Sequence, residues 1–139
     1  MTTAAMRSNA PTSTKASAWT LVWAQYGYAL LYAVCAYAAM AHAADLAGRW
    51  YVPAQGDAVT ESLDVTGWAW SIPAGMVLTM APVLAGLGLL VSGLAFLVRL
   101  AGGNRRLTRA LIGSTAVMLV LLIVSLTPAA QSVGGWLLD

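Results

Sequence analysis

The chain has 139 residues, of which 60% are hydrophobic and only 9% charged, with a mean hydropathy of +0.75. Soluble domains carry roughly 25% charged residues, so water is excluded as the main solvent. A formal net charge of +2, with no basic run interleaved with aromatics, excludes nucleic acid as a partner, and the single cysteine, Cys35, excludes an intrachain disulfide or a cysteine-pair metal site.

Residues 1–17 are rich in Thr, Ser and Ala, contain Pro11, and carry Arg7 and Lys15 without an acid, the composition of a disordered tail. Residues 18–44 follow with no formal charge and read as a first transmembrane helix, with Trp19 and Trp23 where an aromatic belt meets the headgroups. As a helix, residues 23–42 are about 30 Å long, which sets Gln25 near one interface, Tyr32 near the middle and His42 near the other. A rival reading takes Arg7 and Lys15 as the basic region of a signal peptide, cleaved after Ala43. The apolar run is too long for that and holds Gln25 and four tyrosines.

Residues 45–70 form the one sizeable polar connection and hold four of the five acids, Asp45, Asp57, Glu61 and Asp64, against a single cation, Arg49. Trp50, Tyr51, Trp68 and Trp70 at its two ends are interfacial anchors. Residues 71–99 read as the second transmembrane helix, about 42 Å long and so able to cross with some tilt. Ser71 is the expected cap, Pro73 fits the first turn, and Pro82 is expected to kink the span because it cannot donate to the Leu78 carbonyl. Gly102, Gly103 and Asn104 supply a stop and a turn within a short basic connection, residues 100–106, which makes the third helix, residues 107–127, antiparallel to the second. Residues 128–139, with Gly134, Gly135 and Trp136, read as a short amphiphilic tail that does not cross again.

The expected fold is an all-α integral membrane protein, a three-transmembrane-helix bundle. With three spans, the first tail and the connection after the second helix share one side, and that side holds six of the seven basic residues and no acid. This asymmetry sets the N-terminus in the cytoplasm and the C-terminus outside. The expected location is a cell membrane, crossed several times. Six Arg to one Lys, with abundant Ala, Gly, Val and Leu, suggest a bacterial inner membrane.

Two stripes could carry function. On the second helix Ala81, Ala85, Gly88, Ser92 and Ala95 recur at four-and-three spacing, a face of small side chains that lets another helix approach closely. On the first, Gln25, Tyr28, Tyr32, Cys35 and His42 share a face, which reads either as a lined cavity or, more simply, as a hydrogen-bonded packing seam. His42 is the only histidine, and Cys35 lies about 10.5 Å away along the helix, too far to share a metal. A haem held between two chains by His42 is the remaining redox reading. Asp57, Glu61 and Asp64 would hold a divalent cation only if their loop were helical.

No Asp, Glu, Lys or Arg lies at mid-membrane depth, which argues against an ion-coupled pump, and there is no phosphate loop, dinucleotide fingerprint or HExxH motif. The expectation is a non-enzymatic accessory or scaffolding subunit, with no catalytic residue, metal or cofactor. Its partners are the lipid bilayer and other membrane helices, from a second protein or a second copy. The alternative is a homo-oligomeric permeation unit lined by the polar face of the first helix.

Overall fold

The computed structural model describes residues 10–54, 57, 69–98 and 104–138, with side chains from Ala16 onward. Five helices follow in order: α1 (Ala10–Ala47), α2 (Ser71–Thr79), α3 (Ala81–Leu97), α4 (Arg105–Ser125) and α5 (Pro128–Leu138), with no strand among the described residues. Two of them, α1 over Ala16–Ala47 and α4, are long and apolar enough to cross a membrane, and α2 with α3 makes a third if the bent pair counts as one span.

Local chemistry accounts for the boundaries. Pro11 falls in the first turn of α1, where its missing N–H would have no intrahelical partner. At the other end Gly48 takes φ 65°, the left-handed conformation that closes a helix and that a side chain would strain. Between α2 and α3 the axis bends by 48° at Met80. Pro82 stands in the first turn of α3, so no amide there reaches the Leu78 carbonyl. The ladder still bridges the break, since the Met80 N–H donates to the Met76 carbonyl at 3.0 Å and the Leu84 N–H to the Met80 carbonyl at 2.9 Å. Asn104 opens α4 in extended conformation (φ −117°, ψ 96°), its Oδ1 accepting from the N–H groups of Arg106 and Leu107.

The longest packed interfaces pair α2 with α5 and α3 with α4, while α1 lies along α4 and α2. In α2 and α5 the chain runs in opposite directions, Gly75 meeting Leu137 and Leu138 while Gly134 meets Leu78 and Thr79. Two apolar clusters result. One, at the Trp70 end, joins Tyr32, Ala39, Leu78, Ala85, Met118 and Leu121 to Val133, Trp136 and Leu137 of α5. The other, at the arginine end, brings Ala18 and Val22 of α1 and Ala95 of α3 onto Leu107 and Leu111 of α4.

Several boundaries differ from the sequence reading. The tail expected to run to residue 17 is helical from Ala10, its proline sitting where a helix tolerates it. Ser71 is not the cap of α2: Trp70 holds that position without a side-chain bond, and Ser71 is the first helical residue, buried against the bundle. The tail expected after residue 127 is a helix. Its Trp136 is 2% exposed, because α5 lays Val133, Trp136 and Leu137 on one face against α2. Glu61, Asp64, Trp68, Arg99, Gly102 and Gly103, with the tail before Ala10, lie outside the described residues.

Candidate functional site

Between the two apolar clusters lies a layer of polar side chains. Gln25 of α1, Ser92 of α3 and Ser114 of α4 are all buried, and along their helices each falls between a residue of one cluster and a residue of the other. The Gln25 Nε2 donates to the Gly88 carbonyl at 3.0 Å and to the Ser92 Oγ at 2.7 Å. Gly88 faces Gln25 and Met118: a Cβ there would sit 3.5 Å from the Gln25 Nε2 and from the Met118 side chain, an ordinary contact that leaves no room for a longer side chain without displacing them. Ser114 turns its hydroxyl back to the Leu111 carbonyl of its own helix at 3.1 Å. Bonds of the Gln25 kind between apolar helices contribute about 0.6 to 2 kcal/mol each. The other half of the carboxamide is not matched: Gln25 Oε1 is buried with no hydrogen-bond partner among the described residues, a cost of about 1–3 kcal/mol.

One turn further along α1, the Tyr28 hydroxyl donates to the Val77 carbonyl at 3.0 Å. Val77 lies in the last turn of α2, next to the Leu78 carbonyl that Pro82 cannot serve, so the phenol ties α1 to the helix at its bend. Tyr32 is buried in the cluster beyond, and Cys35, half-buried, packs against the same cluster. His42 stands edge-on to Trp70, ring centroids 5.6 Å apart at 86°. The row Gln25, Tyr28, Tyr32, Cys35 and His42 is thus turned toward the other helices of the chain. So is the small-residue row: Ala81, Ala85, Ser92 and Ala95 are buried within the bundle, and Gly88 faces Gln25 and Met118.

Of the loop acids Asp57, Glu61 and Asp64, only Asp57 is among the described residues. Asp57 closes a tight turn, its Oδ2 accepting from the Ala54 N–H at 2.9 Å while its own N–H donates to the Ala54 carbonyl at 3.1 Å. No group of three His, Cys, Asp or Glu able to hold a metal occurs among the described residues. Beside this turn, burial raises the pKa of the Tyr51 phenol above its ordinary 10.0, and the negative charge of Asp57 adds to the rise.

No protein family, characterised protein or solved structure matches this chain. What the site can do therefore rests on its own chemistry. Gln25, Tyr28 and Ser92 make a hydrogen-bonding constellation that ties α1 to α2 and α3. Two features escaped the sequence reading. Tyr26 reaches Gly113, where a Cβ would lie 2.6 Å from its hydroxyl oxygen, and Asn104 is a cap as well as a turn residue. The second was legible as Asn followed by an apolar-periodic run. The first had no local signal, because its two residues lie on different helices.

Proposed function

We propose that this chain is a multi-pass protein of a cell membrane, N-terminus in the cytoplasm and C-terminus outside, that serves as a non-enzymatic accessory or scaffolding subunit. One contrast carries the reading. The polar row of α1 and the Gly88 row of α3 face inward, whereas Gly86 and Gly93, on another face of α3, have nothing within 4 Å of an added Cβ. Their spacing of seven residues sets them two turns apart on one face, among exposed Val83, Leu90 and Leu97. A partner helix would use that face, since small residues let backbones approach where apolar burial supplies little drive. The permeation reading has less support: Gln25 is 3% exposed, and it and Tyr28 are bonded across the bundle, so lining a path between copies would require opening it.

The test is co-purification of the full-length protein gently extracted from its native membrane. A second polypeptide is expected with the natural chain and lost from Gly86→Leu/Gly93→Leu, which keeps its own fold. Gly88→Leu, by contrast, is expected to destabilise the chain itself, because the added side chain displaces Gln25 and Met118. A lone monomer from the native membrane, or a partner retained by the double variant, overturns the proposal.

A further inference from the structure

Where α4 gives way to α5, a cleft of about 210 Å3 opens between that junction, α1 and the end of α2. Tyr32, Leu78 and Val133 on its walls are buried and make the floor, whereas Val52, Val124 and Thr127 are exposed and make the rim. Ala36, one turn after Tyr32 on α1, leaves space there because its side chain is a single methyl group. Two of the lining side chains carry a hydroxyl. That of Thr127 is engaged at the helix junction, donating to the Val124 carbonyl at 2.7 Å and accepting from the Ala130 N–H at 3.3 Å. Tyr32 is 6% exposed, and its phenol makes no hydrogen bond among the described residues, although that of Tyr28, one turn back, reaches Val77. The cleft is therefore an apolar space with one deeply set hydroxyl still to be matched.

We propose that this cleft binds the ring of a membrane quinone, a hydrocarbon-tailed dicarbonyl compound, with the Tyr32 hydroxyl donating to one ring carbonyl. Three observations select that chemistry. The walls exclude a charged ligand, because every side chain on them is uncharged. The volume, below the roughly 300–1,000 Å3 of sites for drug-sized ligands, suits one ring with its tail running out over the rim. Depth removes the commonest lipids. Tyr32 stands midway along the apolar segment Ala16–Ala47, about 22 Å of helix from its nearer end, whereas the ester carbonyls of a diacyl lipid lie at the edges of the ~30 Å hydrocarbon core. A quinone carries its acceptors on an apolar ring that enters the hydrocarbon, so it can meet the phenol there. Quinone binding here does not depend on the accessory-subunit reading.

Calorimetric titration of the full-length protein in mild detergent tests it, with decylbenzoquinone and decylbenzene as probes that share a tail and differ in the ring carbonyls. The natural chain is expected to bind the quinone about fivefold more tightly than the hydrocarbon. Tyr32→Phe removes the hydroxyl and keeps the ring, and is expected to bind the two probes equally, while Tyr37→Phe, on the exposed face of α1, keeps the preference. Ala36→Leu fills the cleft and should bind neither probe. Equal affinity of the natural chain for the two probes assigns the cleft to plain hydrocarbon chains and overturns the proposal, as does a natural chain that binds no quinone. A preference that survives in Tyr32→Phe, quinone binding retained by Ala36→Leu, or displacement of the quinone by an equal concentration of phosphatidylcholine overturns it too.

Discussion

The two ends of the bundle are held by different means. At the Trp70 end, bulky side chains interlock: Trp136, Leu137, Val133, Leu121 and Tyr32 fill the space among α1, α2, α4 and α5, and Gly75 and Gly134 let α5 come close enough to seat them. At the arginine end three helices meet on Ala18, Val22 and Ala95, with Leu107 and Leu111 filling the gap and Leu21 and Ala110 packed against them. The first arrangement concentrates its energy in a few large side chains and the second spreads it over short ones. Damage to one end should therefore be felt differently from damage to the other.

The largest contrast is expected between two truncations. Trp136→Ala removes the largest fully buried side chain and should cost about 3 kcal/mol, releasing α5 from α2. Leu107→Ala, at an equally buried position, should cost about 2 kcal/mol, because smaller neighbours can close around it. Unfolding in mild detergent gives both values, and limited proteolysis within residues 128–138 should accelerate in the first variant alone. Equal losses with α5 protected in both would dissolve the distinction.

A smaller effect tests what links the ends. Tyr28→Phe keeps the packing but withdraws the donor from the Val77 carbonyl, and should cost about 1 kcal/mol. The damage should centre on the bend, read as faster amide exchange over residues 77–82 with little change around Leu107. Uniform acceleration along α3 would show that Tyr28 supports the whole helix.

The smallest effect is confined to the Trp70 end, where Tyr51 packs against the cluster. Its raised pKa means that the folded chain holds the phenolic proton more tightly than the unfolded one. The corresponding stability is fully present below about pH 10 and is lost as pH rises through the higher folded value. Phenolate absorbance should show one late-titrating tyrosine missing from Tyr51→Phe and titrating earlier in Asp57→Asn. A titration unchanged by Asp57→Asn would remove the carboxylate from the explanation.

The helical class and the two or three apolar spans are legible in the amino-acid sequence, because charge-free runs of that length have few other solutions. Periodicity also places Gln25, Tyr28 and Tyr32 on one face, but it carries no information about what that face meets. The acceptors for Gln25 stand on Gly88 and Ser92, on another helix, and only packing brings them together. Ser71 was misread because a serine before an apolar run resembles a cap, although the helix here begins on Ser71 itself. The helix α5 was hidden by its own glycines, which suggest a turn in isolation. Gly134 instead makes room for α2, where a Cβ would lie 3.0 Å from the Thr79 Cγ2.

The pairing of α2 with α5 also sets an order of events during biosynthesis. The ribosome makes α2 long before its principal neighbour, and at 5–20 residues per second the helix waits about 3 to 12 s for residues 128–138 to appear. Throughout that interval the arginine-end contacts of α1, α3 and α4 can form in sequence as each segment emerges, and α1 can already cover one side of α2, whereas the side that carries Gly75 stays open until α5 arrives. The Trp70 end is thus completed late in synthesis, when α5 emerges and locks α2 in place.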